Sequence, residues 1–363
     1  MKAWRFYAFG DMRLDEIELG PCPPDHVLVE PMVVQPSVTE AQLAFGIPTL
    51  AYDNIKSRLE TDAPLQLFGH EFCARILEVG SEVEGYQPGD RVAARAKLPC
   101  GDCSMCHSGR GNDCRLGPII GFQLPGCFAE RALLPAIALV KVDDRISDSE
   151  AATLQSLSDS IAGVETAEIR PGESVAIFGQ GSMGIETMLA ARACGAGQLI
   201  TVDVRDEACQ LSLELGADHA INARQDDPVE AIRELTGGEG ADVVFECAGG
   251  SVKQGLAGDR ALKQAMYAVR SGGKLVGVSW FGVPLELDID VFRERSLRYI
   301  FPDISSQAHL EYTVRLVATG RISMLPTIRH VLAGIDKVPE AFEITANKGK
   351  YQAINPAQVV LAD

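Results

Sequence analysis

Six residues, Gly179-Gln180-Gly181-Ser182-Met183-Gly184, follow an apolar run, SVAIF, and the last four of them open a segment of helical texture, GSMGIETMLAARACGA. Few folds are compatible with that junction. A strand that turns straight into a helix needs one glycine for the tight turn, a second where the backbone approaches a bound group, and a third where helix packs on strand. The helix it opens presents free N–H groups and a positive dipole end, which together favour phosphate. Asp203 follows nineteen residues after Gly184, at the end of a second apolar run, QLITVDV. An acid there accepts hydrogen bonds from ribose hydroxyls and repels a 2′-phosphate. The combination predicts a dinucleotide site on Gly179, Gly181, Ser182, Met183, Gly184 and Asp203, with NAD(H) favoured over NADP(H). Arg205, two residues further on, is a candidate contact that would soften that preference.

Strand-like and helical runs alternate from about residue 155. SVAIFG, QLITVDV, HAINA, ADVVFECAG and GGKLVGVSW read as strands, with DEACQLSLELGA and QAMYAVR as further helices. Such alternation builds a parallel sheet with helices on both faces. The first part of the chain differs. HVLVEPMVV, EFCARILEVG and DRVAARA are short, β-branched and broken by Gly, Pro or Asp, which predicts a mostly β domain. The stretch from Leu43 to Phe68 reads as loop. HLEYTVRLVATG and KVPEAFEITA read as late helices, and YQAINPAQVVL as a strand returning to the first domain. A chain of 363 residues suits about two domains at roughly 150 residues each. The expected fold is α/β, with a β-rich domain over 1–156, an inserted doubly wound parallel-sheet domain over 157–302, and a return segment over 303–363.

Of ten cysteines, Cys100, Cys103, Cys106 and Cys114 fall within fifteen residues. Four thiolates at this spacing predict a closed tetrahedral zinc site. With no position left open for a substrate, that zinc would be structural. An iron–sulfur cluster is the other centre such a set can hold, but a zinc lobe suits a neighbouring dinucleotide domain better. His107 is surplus to the four thiolates and reads as solvent-facing. Cys22, Cys127, Cys194, Cys209 and Cys247, with His26, His219, His309 and His330, read as packing or surface residues.

The formal net charge of −17 argues against nucleic acid and anionic membrane surfaces, which require a basic face. The first twenty residues contain no apolar segment of the signal-peptide kind, and no run approaches the length of a membrane span. A cytoplasmic protein is the expectation.

Adding Gly69-His70-Glu71 to the cysteine lobe and to GQGSMG with Asp203, the chain resembles the zinc-containing medium-chain alcohol dehydrogenases over nearly its whole length. The resemblance implies a GroES-like catalytic domain made from both chain ends around a central Rossmann domain. It also implies an alcohol or ketone substrate, NAD(H), a structural zinc, and a homodimer or homotetramer. A catalytic zinc would be held by a cysteine, the histidine of Gly-His-Glu and a later cysteine or acid. In this chain Ser37, within Ser37-Val38-Thr39-Glu40, stands at the cysteine position, and Gln155 stands at the later one. A serine hydroxyl is hard to deprotonate and an amide oxygen is neutral, so His70 and Glu71 are the good donors that remain. A firmly held catalytic zinc is therefore not expected. Cys73 is better read as a small buried hydrophobe than as a substitute ligand.

By the same alignment Thr39 is the hydroxyl that relays a proton, and Asp159, one helical turn beyond Gln155, would face the nicotinamide. Thr39, His70, Glu71 and Asp159 are thus the catalytic candidates. The expected activity is hydride exchange between a secondary or alicyclic alcohol or ketone and NAD(H). A zinc-independent reductase of activated double bonds is the second reading. A dinucleotide-binding protein without catalysis is the third.

Overall fold

The computed structural model describes residues 1–250, 258–302 and 304–362. The chain divides into two compact units, residues 1–158 with 304–363, and residues 159–303. Along the first stretch run β1 (Lys2–Ala8), β2 (Asp11–Glu16), β3 (His26–Gln35), α1 (Val38–Ala44), α2 (Tyr52–Asp62), β4 (Glu71–Val79), β5 (Arg91–Ala94), α3 (Ser104–His107), β6 (Ala132–Pro135), β7 (Leu139–Lys141) and α4 (Asp148–Ala151). After α5 (Leu154–Thr166) come β8 (Ser174–Phe178), α6 (Ser182–Ala193), β9 (Gln198–Asp203), α7 (Asp206–Glu214), β10 (His219–Asn222), α8 (Pro228–Leu235), β11 (Ala241–Glu246), α9 (Arg260–Ala268), β12 (Val269–Gly277), α10 (Ile289–Glu294) and β13 (Arg298–Ile300). The last segment adds α11 (Gln307–Ala318), β14 (Val331–Ala333), α12 (Val338–Ala346), α13 (Lys348–Tyr351) and β15 (Gln358–Val360).

The first unit is organised around β3. Its first half alternates buried and half-exposed side chains, and from Met32 to Gln35 it is buried on both faces. The sheet runs in the order β14-β15-β3-β4-β5-β7, with β6 also paired to β3. β15 lies antiparallel to β3, with Val359 opposite Val34, so the end of the chain completes a sheet begun near its start. The core repeats this closure. Phe342 of α12 packs its ring 5.0 Å from Phe128 and 6.0 Å from Phe6. All three rings are fully buried, and truncating one such ring costs about 3–5 kcal/mol.

Three expectations are corrected here. The stretch from Leu43 to Phe68, read as loop, contains α2. Only Ile55 and Leu59 are buried on that helix, so its apolar stripe is too thin to register as a helical period. Val269 and Arg270, read as the end of a helix, instead open β12, where Val269 pairs with Ala241 of β11. The returning strand is also shorter than its sequence run, because Tyr351 still belongs to α13.

In the second unit six parallel strands lie in the order β10-β9-β8-β11-β12-β13. Counted within the unit this is 3-2-1-4-5-6, the doubly wound order, whose reversal lies between β8 and β11. Its central strands are continuous apolar runs because both faces are covered, and Ala176, Phe178, Ile200, Val202, Val244 and Leu275 are all buried. Asp242 ties the starts of β8 and β11 together. It accepts from the N–H and the hydroxyl of Ser174 at 2.8 and 2.7 Å, and from Nε of Arg270 at 2.5 Å. Among the described residues, no helix is long and apolar enough to cross a membrane.

Candidate functional site

In the second unit, the glycine turn follows β8 at the reversal point. Gly179 has φ +90°, a conformation that disfavours any side chain, and a Cβ there would sit 2.7 Å from Cα of Ala248. At Gly184 a Cβ would fall 1.7 Å from the Gly179 carbonyl oxygen, because α6 presses directly onto the turn. Gly181 is different, since a Cβ there would meet nothing within 4 Å. The open space at the N-cap of α6, where no side chain caps the helix, is what a pyrophosphate cradle requires.

Asp203 ends β9 and is nearly buried. Its oxygens accept the N–H groups of Gln180 (2.7 Å), Val204 (2.8 Å) and Arg205 (2.9 Å), and Nε of Arg205 lies 3.3 Å away. The acid therefore also locks the glycine turn to the end of β9. Arg205 donates in addition to the Gln180 carbonyl, which pulls its guanidinium against the turn. The Ser182 hydroxyl donates to buried Glu186 at 3.0 Å, while Met183 is partly exposed in the first turn of α6.

In the first unit, β3 and β4 bring a second group of residues together. His70 sits at the entrance to β4, and Glu71 is its first residue. Oε1 of Glu40 lies 2.5 Å from Nδ1 of His70 and accepts the Gly69 N–H at 2.9 Å. A carboxylate can only accept, so Nδ1–H donates to it, and in the neutral imidazole the lone pair then falls on Nε2. That nitrogen lies 4.0 Å from Oε1 of Glu71. The other Glu71 oxygen accepts from Nε2 of Gln35 at 2.5 Å, and Oε1 of Gln35 accepts from Asn355 and Gln358 at 2.8 and 2.9 Å. A buried chain of amides from the last segment thus holds Glu71.

The sequence reading did not single out Glu40, although a signal was present. Ser37-x-x-Glu40 is a capping box. The Ser37 hydroxyl accepts the Glu40 N–H at 3.1 Å, and Oε2 of Glu40 accepts the Ser37 N–H at 3.0 Å. Ser37 is therefore occupied as the N-cap of α1, and Thr39 lies partly exposed in the first turn of that helix. Gln155 and Asp159 lie four positions apart on α5, Gln155 in the first unit and Asp159 in the second. Cys73 faces Asp148, with Sγ 3.4 Å from Oδ1, and burial pushes its thiol up to about 12. It does not offer a thiolate to the His70 group.

The four lobe cysteines converge, with all their Sγ atoms within 4.8 Å of one another. Cys106 lies 3.9 Å from Cys100 and 3.6 Å from Cys103. Zinc–sulfur bonds of about 2.3 Å in a tetrahedron place sulfurs about 3.8 Å apart, so the spacing fits. The backbone N–H of Cys100, donating to Cys114, brings that thiol down to about 6, while burial pushes Cys106 up to about 11. Thiols this close can all ionise only around a cation. Among the described residues this is the one group of three or more His, Cys, Asp or Glu side chains spaced for a metal. His107 is exposed beside it.

Two family models match the chain. One is described as an alcohol dehydrogenase GroES-like domain, over residues 42–144, and the other as a zinc-binding dehydrogenase, over residues 182–317. The L-threonine 3-dehydrogenase of Pyrococcus horikoshii is 31% identical over 288 residues, covering 77% of this chain and 79% of that protein. The L-idonate 5-dehydrogenase of Vitis vinifera is 33% identical over 291 residues, 78% of this chain and 76% of that protein. Among solved structures, a protein from Sinorhizobium meliloti 1021 named a zinc-binding dehydrogenase, with NADP bound, superposes with a TM-score of 0.84. It is 27% identical, and the match covers 100% of this chain and 99% of that one.

Proposed function

The chain belongs to the zinc-containing medium-chain dehydrogenase family, and on that premise we propose that it exchanges hydride between a secondary or alicyclic alcohol or ketone and NAD(H), without a firmly held catalytic zinc. The observation that carries the last clause is the use of the Ser37 hydroxyl as a helix cap, which leaves His70 and Glu71 as the strong donors of their group. When bound, the nicotinamide ring takes or returns the hydride. The chain's own residues handle the proton. Glu40 keeps Nδ1–H of His70 engaged, so Nε2 presents a lone pair toward the substrate hydroxyl, and Glu71 shares the charge that develops there. Thr39 relays the proton from the substrate hydroxyl to Nε2 of His70, and Asp159 is the remaining catalytic candidate.

NAD(H) is preferred in this reading because the Asp203 carboxylate opposes a 2′-phosphate and Arg205 is already neutralised by it. The four lobe cysteines hold one structural zinc. The test is a panel of alcohols and ketones run with NAD(H) and with NADP(H). Turnover of carbinols with a lower KM for NAD supports the reading. Consumption of NADH by enones but not by ketones would replace it with reduction of activated double bonds, and tight NADH binding with no turnover would remove catalysis altogether.

A further inference from the structure

Gln35 and Glu71 are register partners on β3 and β4, so their side chains leave the same face of the sheet. Both are buried. Nε2 of Gln35 donates to Oε2 of Glu71, while Oε1 of Gln35 accepts from Nδ2 of Asn355 and Nε2 of Gln358. An amide can be turned end for end with little change of shape, so its direction has to be fixed by its partners. Here the partners are backbone carbonyls. Nδ2 of Asn355 donates a second bond to the Pro356 carbonyl at 3.0 Å, and Nε2 of Gln358 a second one to the Ser149 carbonyl at 2.7 Å.

A backbone carbonyl only accepts. Turning Asn355 or Gln358 around would therefore set its oxygen against two others. The structure instead leaves Oδ1 of Asn355 and Oε1 of Gln358 buried, with no hydrogen-bond partner among the described residues. An unmade bond to a buried acceptor is costly, and the cluster tolerates two of them to keep its direction. Both N–H ends point at Gln35, which must offer its oxygen to them and its own N–H to Glu71.

We infer that Gln35 is a positioning residue for proton transfer, one that holds Glu71 as a carboxylate beside His70. A hydrogen bond donated to the charged form of an acid favours that form. The catalytic sense of this rests on the hydride-transfer reading. In alcohol oxidation the O–H bond of the substrate breaks as the hydride departs, and the proton reaches Nε2 of His70 by way of Thr39. The imidazolium so formed carries an N–H on each nitrogen. Nδ1–H stays on Glu40, and Nε2–H faces Oε1 of Glu71 at 4.0 Å. A neutral Glu71 would leave that second N–H without a counter-charge. Reduction returns the same proton by the same route.

Infrared spectroscopy on zinc-loaded protein at neutral pH separates the C=O stretch of a protonated carboxyl from the bands of a carboxylate. Glu71→Gln is the reference, because its side-chain oxygen still accepts from Gln35. Wild type should show no protonated-carboxyl band that Glu71→Gln lacks. Gln35→Met should gain one. Its kcat/KM for the best carbinol should fall about tenfold or more at neutral pH and recover as pH rises, with KM for NAD unchanged. A side chain that merely filled space would not move that profile. The proposal is overturned by a protonated-carboxyl band in wild type that disappears in Glu71→Gln, a comparison that holds even should Gln35→Met fail to fold. It is equally overturned by a folded Gln35→Met whose spectrum and pH profile match wild type. Wild type that turns over no alcohol or ketone removes the hydride-transfer reading instead, and the spectra still decide the state of Glu71.

Discussion

One oxygen of Glu40, a fully buried side chain, binds both Nδ1 of His70 and the N–H of Gly69. The histidine and the turn that delivers it are held by the same carboxylate, which is itself aimed by the Ser37 N–H. Replacing Glu40 by Gln removes the charge but keeps the shape. Partners of this kind typically carry 10–100-fold in activity, so kcat/KM for the best carbinol should fall by about that factor, with a displaced pH profile. Glu40→Ala should in addition lower stability by about 1–3 kcal/mol, measured by denaturant unfolding, because buried donors lose their acceptor. An unchanged pH profile in Glu40→Gln would mean that His70 takes no part in proton transfer.

The glycines of the turn should separate binding from folding. Gly184→Ala places a methyl 1.7 Å from the Gly179 carbonyl and must push α6 off β8. It should cost about 1–3 kcal/mol as an overpacked contact, seen as a lowered Tm. Gly181→Ala meets no protein atom, so Tm should stay near wild type. Its methyl would occupy the space left for phosphate, and NADH affinity by fluorescence titration should fall more than tenfold. Equal NADH affinity in Gly181→Ala would show that the dinucleotide does not pass over that residue.

Zinc should be counted by elemental mass spectrometry on protein purified without chelator. One zinc per chain, absent from Cys103→Ser, is the expected result, with a lower Tm for the variant. Two per chain, one of them surviving in Cys103→Ser, would place a second metal near His70 and Glu71 and overturn the assignment of the proton chemistry to side chains alone.

Asp242 sets a dependence on acid. Burial raises its carboxyl pKa, but hydrogen bonds from Arg270 and from both donors of Ser174 outweigh that and lower it overall. Because the folded-state pKa is depressed, the stabilisation is present above the unfolded value of about 3.9 and is lost as pH falls through the folded one. Asp242→Asn should therefore destabilise at pH 7, and the gap to wild type should narrow below about pH 4. A gap that stays constant from pH 7 to pH 3 would show that the charge of Asp242 plays no part.

The second unit was the more legible of the two from sequence. Its strands are apolar runs of ordinary length, and the spacing from Gly184 to Asp203 measures one helix and the strand after it. In the first unit the cysteine lobe was legible because its ligands are local. The surroundings of His70 and Glu71 were not. Gln35 reaches Glu71 across a strand pair, and Asn355 and Gln358 reach Gln35 from 320 and 323 residues away, which no local pattern encodes. Arg95 is another case. Nothing in the run DRVAARA says that one arginine is carried inward while Arg91 meets Asp148 through an ion pair.

The closure of the first sheet by β15 has a temporal side. Asn355 and Gln358, which hold Gln35 against Glu71, are made 320 and 323 residues after it. At about 5–20 residues per second the interval is on the order of tens of seconds. The six-stranded parallel unit is uninterrupted in sequence and can complete itself meanwhile. The nascent chain therefore emerges with β3, its central strand, lacking one neighbour, and a capping partner on that edge during synthesis would guard it against pairing with another chain. The polar group around Glu71 is complete only once Val359 lies opposite Val34.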